Sequence, residues 1–590
     1  MPTCRFEIPD SPLEDVQRLR RELGVSDPLA QVLVRRGYAE PQRARAFLAG
    51  IEEHSPQEFR GIGEAVEMIL RHVQQATRIT VHGDYDVDGI CSTAVLVRAL
   101  RELGADVDFY LPDRASDGYG LKLDTVKRLA ARGTRLLVTA DCAITAVEEV
   151  AAAQALGMDV VVTDHHAARA DGALPQAPIV HPRLCGYPCV DLCATAVTYK
   201  LADALYSASG RDPHELRQDL DLVALATVAD VVPLTGENRT LVRHGLRALA
   251  ATTKPGLRAL MAVAGVDASK VGERALGFAL APRLNAAGRL YRADAGLELV
   301  LTSDPKRAEQ IAQELDSANR ERRLIEQRIR FEAEAQMAEL GERPAYVLAG
   351  DSWHAGVIGI VASRLVERSG RPVVMIALDG EEGRGSGRSV DSFDLLAGLT
   401  ACGGSLIGYG GHRAAAGLQI ERACVDDFAA ALCAHADAVM RPGDLVPVER
   451  VDAIVHGQDL GMALAEELQT LAPFGRGNPT VSLMLADAVF RDSRPMGEGK
   501  HVRFSVESDG VRARAVAFGC GGRLDVADGE PVQATFTLEV NEWNGVSEPR
   551  LLLRQAAALT VPPEDDPGHA EMEIQAGETE TGELVLFALP

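Results

Sequence analysis

The sequence predicts an α/β protein built on a parallel sheet, followed by a long helical arm, a second α/β lobe and a small all-β module. Three observations predict that plan. Between about residues 61 and 232, apolar β-rich runs alternate with amphipathic helical stretches. Residues 304–340 contain no glycine, and no proline after Pro305. Residues 481–557 carry several β-rich runs in succession.

Residues 1–60 read as short helices with a polar start, an N-terminal lobe. In the lobe that follows (61–303), RITV (78–81) precedes a helix at 90–103 and DVDFYLP (106–112) one at 121–132. RLLVTA (135–140) precedes a helix at 145–156, and DVVVT (159–163) leads through a loop to another near 195–208. Strands and helices alternating at this spacing imply βαβ units, hence a parallel sheet covered on both faces. Asp304 before Pro305 suits an N-cap followed by the first helical position, so 304–343 reads as one connecting helix. Its apolar residues keep no clean heptad, which argues against a coiled coil. Residues 344–441 form the second α/β lobe, with strands at AYVLA (345–349) and PVVMIAL (372–378). A Pro/Val junction at 442–448 leads to the β module (450–558), where VRFSV, RARAVAF and VQATFTLEV suit a barrel. Residues 559–590 read as a poorly ordered acidic tail.

At 590 residues the chain exceeds one core. Apolar residues make up 46% and charged residues 25%, the balance of a soluble globular protein. The opening MPTCRFEIPDSPLEDVQRLR lacks a signal-peptide run, and nothing later approaches a membrane-length apolar stretch, so a cytoplasmic location without membrane contact is expected. Ten cysteines do not make a disulfide framework. Cys185, Cys189 and Cys193 recur every fourth residue, but no second pair completes a zinc knuckle, so they read as buried or incidental thiols. The formal charge of −24 argues against tight coating of a nucleic-acid duplex. It does not exclude a local basic channel, because residues 560–590 alone contribute eight acids and no Lys or Arg.

Every predicted strand of the first lobe that closes on a motif ends in carboxylates or imidazoles. RITV is followed by His82, Asp84, Asp86 and Asp88, RLLVTA by Asp141, and DVVVT by Asp164, His165 and His166; the helix LDLVALATVA ends at Asp230. Ligands of open parallel sheets gather at the carboxyl ends of the strands, so these groups converge. Any one of them alone would be an ordinary turn residue. Together, without countercharge, they would repel strongly. Cations remove the repulsion, and mixed Asp/His donors favour Mn²⁺, Fe²⁺ or Zn²⁺ over Ca²⁺. Two cations bridged by one carboxylate suit hydrolysis of phosphate esters.

HGDYDVDGICSTA, TADCAI, TDHH and ATVADVVPL resemble the four ordered motifs of the DHH phosphoesterase family. Gly403-Gly404 and GYGGHRAAAG (408–417) resemble the family's associated second domain, DHHA1. DRASDGYG (113–120), APRLNAAGRL (281–290) and APFGRGNP (472–479) are similar to its branch of single-strand-specific 5′→3′ DNA exonucleases, and the likeness spans about residues 1–557. The resemblance implies His82, Asp86 and Asp141 around one metal and Asp88, Asp141, His165 and Asp230 around the other, with Asp141 bridging. Asp84 belongs to the same motif, bound directly or through water, and His166 would face the scissile phosphate. The expected cofactors are two divalent cations, Mn²⁺ or Mg²⁺.

Substrate needs its own residues. Ser386-Gly387-Arg388-Ser389 sets a hydroxyl and a guanidinium beside a flexible turn, suited to a phosphate. Gly410-Gly411-His412 opens a small-residue stretch whose NH groups could face an anion. On spacing alone, a glycine-rich loop that merely allows close packing explains them equally well. The resemblance implies that Arg114, Ser386 and Arg388 take a terminal 5′-phosphate, that Arg283 and Arg289 hold backbone phosphates, and that His412 lies near the scissile group. Tyr119 and Asn285, within matched motifs, join the expected substrate contacts. GEGK (497–500) is no nucleotide loop, since Arg494 stands where glycine is needed. Lys500, His501, Arg503, Arg512, Arg514 and Trp543 suit an oligonucleotide-binding barrel, with Phe504 and Phe518 expected in its core. The implied activity is 5′→3′ digestion of single-stranded DNA in recombination and repair, by a monomer working with a single-strand-binding protein and a helicase. The alternative is a phosphodiesterase or pyrophosphatase for short oligonucleotides or small phosphates; a replication scaffold without activity is disfavoured by the intact ligands.

Overall fold

The computed structural model describes residues 4–113, 118, 120–290, 294–543 and 545–558, with the backbone of 577–578 and 584–585. Arg114, Tyr119 and the rest of the acidic tail lie outside the described residues, as do the side chains of Arg289 and Trp543.

The first lobe is a five-stranded parallel sheet in the order β2-β1-β3-β4-β5. Its strands are β1 (Ile79–His82), β2 (Val107–Tyr110), β3 (Leu136–Thr139), β4 (Asp159–Thr163) and β5 (Ile179–Val180). Helices α1 (Val87–Glu102), α2 (Leu123–Ala131), α3 (Val147–Ala155), α4 (Ala194–Ser209) and α5 (Leu220–Ala229) follow in turn. All four residues of β1 and of β3 are buried, as a sheet covered on both faces demands. One core holds Ile79, Val81, Leu136 and Val138; the other holds Leu137, Val160 and Val162. Side chains alternate across each strand, so adjacent valines and leucines serve opposite cores.

Further helices of this part include α6 (Gly236–Ala250), α7 (Ala281–Leu290) and the arm α8 (Pro305–Leu340), 36 residues long. Asp304 caps the arm by accepting from the Lys306 N–H at 2.9 Å. The second lobe is a sheet in the order β9-β10-β8-β7-β6, with only β6–β7 parallel. Its strands are β6 (Tyr346–Gly350), β7 (Val373–Asp379), β8 (Glu382–Arg388), β9 (Gly408–Gly411) and β10 (Ala415–Glu421), and α9 (Ile358–Ser369) packs between it and the arm.

The β module is a closed barrel. Strands β11 (Leu483–Met496), β12 (His501–Ser508), β13 (Val511–Ala517), β14 (Pro531–Trp543) and β15 (Val546–Ala558) run in the order β11-β12-β13-β15-β14, and β14 pairs back onto β11. The N-terminal lobe has no core of its own. Its Leu19, Leu29, Leu33 and Phe47 share one cluster with Phe490, Phe504 and Phe536 of the barrel, and its strand Arg5–Glu7 pairs with Val448–Arg450. The fully buried Arg239 of α6 fastens this union. It donates to the Phe47, Leu471 and Thr470 carbonyls at 2.9, 2.6 and 3.1 Å, with its guanidinium 4.2 Å above the Phe47 ring.

One expectation fails here. Phe504 is buried, but Phe518 is 54% exposed. Strand β13 ends at Ala517, so the alternation stops one residue short of Phe518, which stands edge-on to His501 with ring centres 5.1 Å apart. Among the described residues, no helix is long and apolar enough to cross a membrane.

Candidate active site

The loop after β1 folds back on the first turn of α1 because two glycines permit it. A Cβ on Gly83 would lie 1.9 Å from Thr93 Oγ1, and one on Gly89 would lie 2.5 Å from the Asp84 carbonyl oxygen. Helix α1 starts three residues before the sequence predicts, since Asp86 caps it: Oδ1 accepts from the N–H groups of Asp88 and Gly89 at 3.0 and 3.1 Å. Asp88 in turn caps α4, accepting from Ala194 N–H at 2.7 Å, Thr195 N–H at 2.8 Å and Thr195 Oγ1 at 2.6 Å. These acids therefore have fixed rotamers before any ligand arrives.

Asp141 follows β3 with φ of 67°, a left-handed conformation that Asp and Asn tolerate better than most residues. His165 Nε2 lies 3.3 Å from Asp141 Oδ1 and 3.7 Å from both Asp88 Oδ2 and Asp230 Oδ2. That buried nitrogen meets three carboxylates without completing a hydrogen bond to any described residue. Three donor groups have ligand atoms within 4.8 Å of one another: Asp84–Asp86–Asp141, Asp88–His165–Asp230 and Asp141–His165–His166. Asp141 occurs in two of them. His82 is absent from all three, although it is fully buried at the end of β1 with Cys142 Sγ 3.5 Å from its Nδ1.

The electrostatics are those of a site that lacks positive charge. Burial, then the neighbouring Asp88, Asp86, Asp84 and Asp164, pushes the Asp141 carboxyl well above the usual range. Burial and then Asp88 raise Asp86, and burial with Asp88 and Asp86 pushes Asp230 up to about 8. Burial lowers His165, leaving a neutral imidazole able to ligate. Divalent cations fit this donor set in charge and in ligand chemistry.

Asp164 behaves differently. It accepts from the N–H groups of Ile144, His165 and His166 and from His166 Nδ1 at 2.9, 2.7, 3.1 and 2.8 Å. Burial opposes its charge, but the bond to His166 and these N–H groups hold its carboxyl below the usual range. Burial also opposes charge on His166, yet the bond to Asp164 and the fields of Asp164, Asp230 and Asp88 push it up to about 9. Asp164 thus orients and charges His166, a positioning role the motif spacing did not reveal.

In the second lobe, Ser386 and Arg388 sit in strand β8, not beside a turn as expected. The run EGRGSGR is a period-two pattern. Cβ atoms on Gly385 and Gly387 would press on Leu418 and Leu395 at 2.7 and 2.8 Å, so the glycines face the core and Arg384, Ser386 and Arg388 the other side. Arg388 donates to Ser386 Oγ at 3.1 Å. Gly359, in the first turn of α9, backs onto this pair: a Cβ there would lie 2.8 Å from Ser386 Oγ and 3.0 Å from Arg388 Nη2. The pair and a helix N-terminus together offer donors that could serve an anion. His412 is exposed at the β9–β10 turn, closed by its bond to Ala415 O at 2.8 Å.

Arg283 is already engaged, donating to Asp316 of the arm and to Ala279 O at 2.9 and 2.7 Å. Asn285 accepts from Val87 N–H at 3.0 Å and so braces the start of α1. Among the described residues, no group of potential metal donors contains a cysteine, and Cys185 and Cys193 are buried.

The DHH family N-terminal domain matches residues 78–227, the DHHA1 domain residues 342–438, and the RecJ OB domain residues 451–555. The single-stranded-DNA-specific exonuclease RecJ of Bacillus subtilis is 36% identical over 563 residues, 94% of this chain and 71% of that protein. RecJ of Escherichia coli is 36% identical over 572 residues, 90% of this chain and 97% of that protein. The chain belongs to the RecJ family. The crystal structure of RecJ from Thermus thermophilus in complex with Mn²⁺ superposes with a TM-score of 0.81 at 31% identity, covering 94% of this chain and 79% of that one. Its Mg²⁺ complex gives 0.75 at 30% identity, over 94% and 78%. The parallel-sheet lobe, the second lobe and the barrel are thus the DHH, DHHA1 and OB parts of a RecJ protein.

Proposed function

We propose that this RecJ-family protein hydrolyses single-stranded DNA from the 5′ end, releasing 5′-mononucleotides, in DNA recombination and repair. The observation that carries it is the convergence of Asp84, Asp86, Asp88, Asp141, His165 and Asp230 at one edge of a DHH sheet, on a chain that matches RecJ proteins nearly end to end.

Asp84, Asp86 and Asp141 would hold one cation, joined by His82, and Asp88, His165, Asp230 and the shared Asp141 would hold the other. Mn²⁺ or Mg²⁺ bound there supplies the charge that activates water and neutralises the phosphate. The chain's own residues do the rest. Asp86 and Asp88, fixed as helix caps, orient their free lone pairs toward the cluster. His166, held by Asp164 through Nδ1, faces a phosphate oxygen or the departing 3′-oxygen with Nε2, and would donate from it when protonated. Ser386, Arg388 and the α9 N-terminus take the terminal 5′-phosphate, which sets polarity, together with Arg114. Tyr119, Arg283, Asn285, Arg289 and His412 position the strand between the lobes. The barrel, with Arg503 and Phe518 exposed, grips the strand beyond. The protein would act as a cytoplasmic monomer on strands opened by a helicase and covered by a single-strand-binding protein.

The test is product analysis of 5′- and 3′-end-labelled single strands with Mn²⁺. Labelled mononucleotide should appear at once from the 5′ label and only late from the 3′ label. Intact strands alongside rapid hydrolysis of pyrophosphate or a dinucleotide would replace this function with the small-substrate alternative.

A further inference from the structure

On the Asp230 side of the metal cluster, the end of α5, the turn before α7, the arm, the second lobe and the segment leading to the barrel enclose a cavity of about 830 Å³. Its walls include Val228, Val231, Phe278, Ile360 and Phe474. Val231 and Phe278 are 59% and 74% exposed, a large apolar surface to leave beside a catalytic centre. Two exposed arginines, Arg274 and Arg476, stand at its rim, and neither guanidinium makes a hydrogen bond or ion pair with a described residue. Glu273 also lines the cavity, accepting from Phe474 N–H at 3.1 Å, and Arg476 lies in the field of Asp230. An apolar cavity with exposed guanidinium groups at its edge suits an apolar ligand flanked by negative charge.

The chain itself carries such a segment. Residues 571–590, EMEIQAGETETGELVLFALP, contain Glu571, Glu573, Glu578, Glu580 and Glu583, no Lys or Arg, and then Leu584-Val585-Leu586-Phe587-Ala588-Leu589. The backbone of Gly577 and Glu578 pairs antiparallel with that of Val585 and Leu584, so Glu578 and the first residues of the apolar run lie on neighbouring strands. The chain between Ala558 and Gly577 can span up to ~65 Å when extended, ample to return across the enzyme. Attachment to the same chain gives the segment an effective concentration of order millimolar, an advantage that no separate acidic protein has.

We propose that the acidic, apolar-ended segment 578–589 docks in the cavity between Phe278, Val231, Arg274 and Arg476 and there competes with single-stranded DNA. The apolar side chains fill the cavity and the glutamates meet the two arginines, so the enzyme carries a tethered competitor for its own substrate channel. Salt weakens the charged half of the contact, which makes the restraint strongest at low ionic strength. The competition with DNA rests on the proposed function; the docking itself does not.

The experiment uses the full chain carrying Leu584→Ser, Leu586→Ser and Phe587→Ser. At low salt its kcat/KM for a short 5′-phosphorylated strand should rise about tenfold over wild type, with kcat unchanged, as release of a tethered competitor requires. A fluorescent peptide of residues 571–590 should bind this variant in the absence of metal and DNA, followed by anisotropy. Adding Phe278→Ser or Arg476→Ser should weaken the peptide at least about fivefold. Unchanged kinetics of the tail variant, or peptide binding indifferent to both cavity substitutions, overturns the proposal. Peptide binding as described on a protein that digests no single strand would instead overturn the proposed function and leave the docking standing.

Discussion

The two α/β lobes arrange their polar side chains in opposite ways. In the first, charged side chains are buried at strand ends and fixed by helix caps, so the site is built before its cations arrive and suffers mutual repulsion without them. In the second, glycines withdraw to the core face of one strand and let Ser386 and Arg388 stand against a helix N-terminus, with little repulsion to overcome. Chemistry that generates a nucleophile requires the first arrangement, and recognition of an end requires only the second. The difference predicts that damage to the first lobe removes turnover, and that damage to the second changes which strand is chosen.

The largest test of that contrast is Asp141→Asn. Asparagine tolerates the φ of 67°, so the fold stays intact, and the rate with Mn²⁺ should drop by about 10³-fold or more. A rate above a tenth of wild type would remove Asp141 from the centre of the site. Next comes stability. Saturating Mn²⁺ should raise the melting temperature of the wild-type chain, by a linkage free energy of about 3–4 kcal/mol at a hundred- to thousandfold excess over Kd. Asp141→Asn should lose most of that shift while melting no lower than wild type without metal, because a repelled buried carboxylate is gone. A metal-free variant clearly less stable than wild type would show that the carboxylates are not in conflict.

Smaller effects belong to the second lobe. Arg388→Ala should reduce the preference for a 5′-phosphate over a 5′-hydroxyl by about tenfold, as loss of one charge-assisted contact does, and leave the Mn²⁺ melting shift untouched. A preserved preference would move the end pocket elsewhere. Gly359→Ala is the finest probe. Its added methyl meets the ends of Ser386 and Arg388 rather than backbone, so both can give way, and the same preference should fall only about two- to threefold. Loss of all activity from this one methyl would mean that the second lobe shares in chemistry, and the contrast between the lobes would fail.

Much of this was legible in the sequence because strand ends carry their chemistry next to their apolar runs. The clustered acids, the long arm and the barrel each leave a local pattern, and the four ordered motifs carry the family. What was not legible depends on contacts between distant segments. Nothing near Asp164 says that it serves His166 rather than a metal. The alternation GRGSGR reads as a loop until Leu395 and Leu418 are seen to need the space of its glycines. Phe518 follows an alternating strand, and only the end of β13 at Ala517 turns it outward. Phe278 sits in a stretch with no pattern to mark it, and Arg476 lies in APFGRGNP, which marks the family but not the cavity beside Asp230.

The shared core of the N-terminal lobe and the barrel has a consequence for synthesis. Helices Leu13–Leu23 and Asp27–Arg35 leave the ribosome first, yet the barrel strands that share a core with Leu29 and Leu33 begin only at Leu483, about 450 residues later. At elongation rates of about 5–20 residues per second, those apolar faces wait roughly 20–100 s for their partners, while the DHH lobe between them has time to fold alone. The N-terminal lobe and the barrel therefore close beside a finished catalytic lobe, and Arg239 can reach its three carbonyls only when that closure is complete.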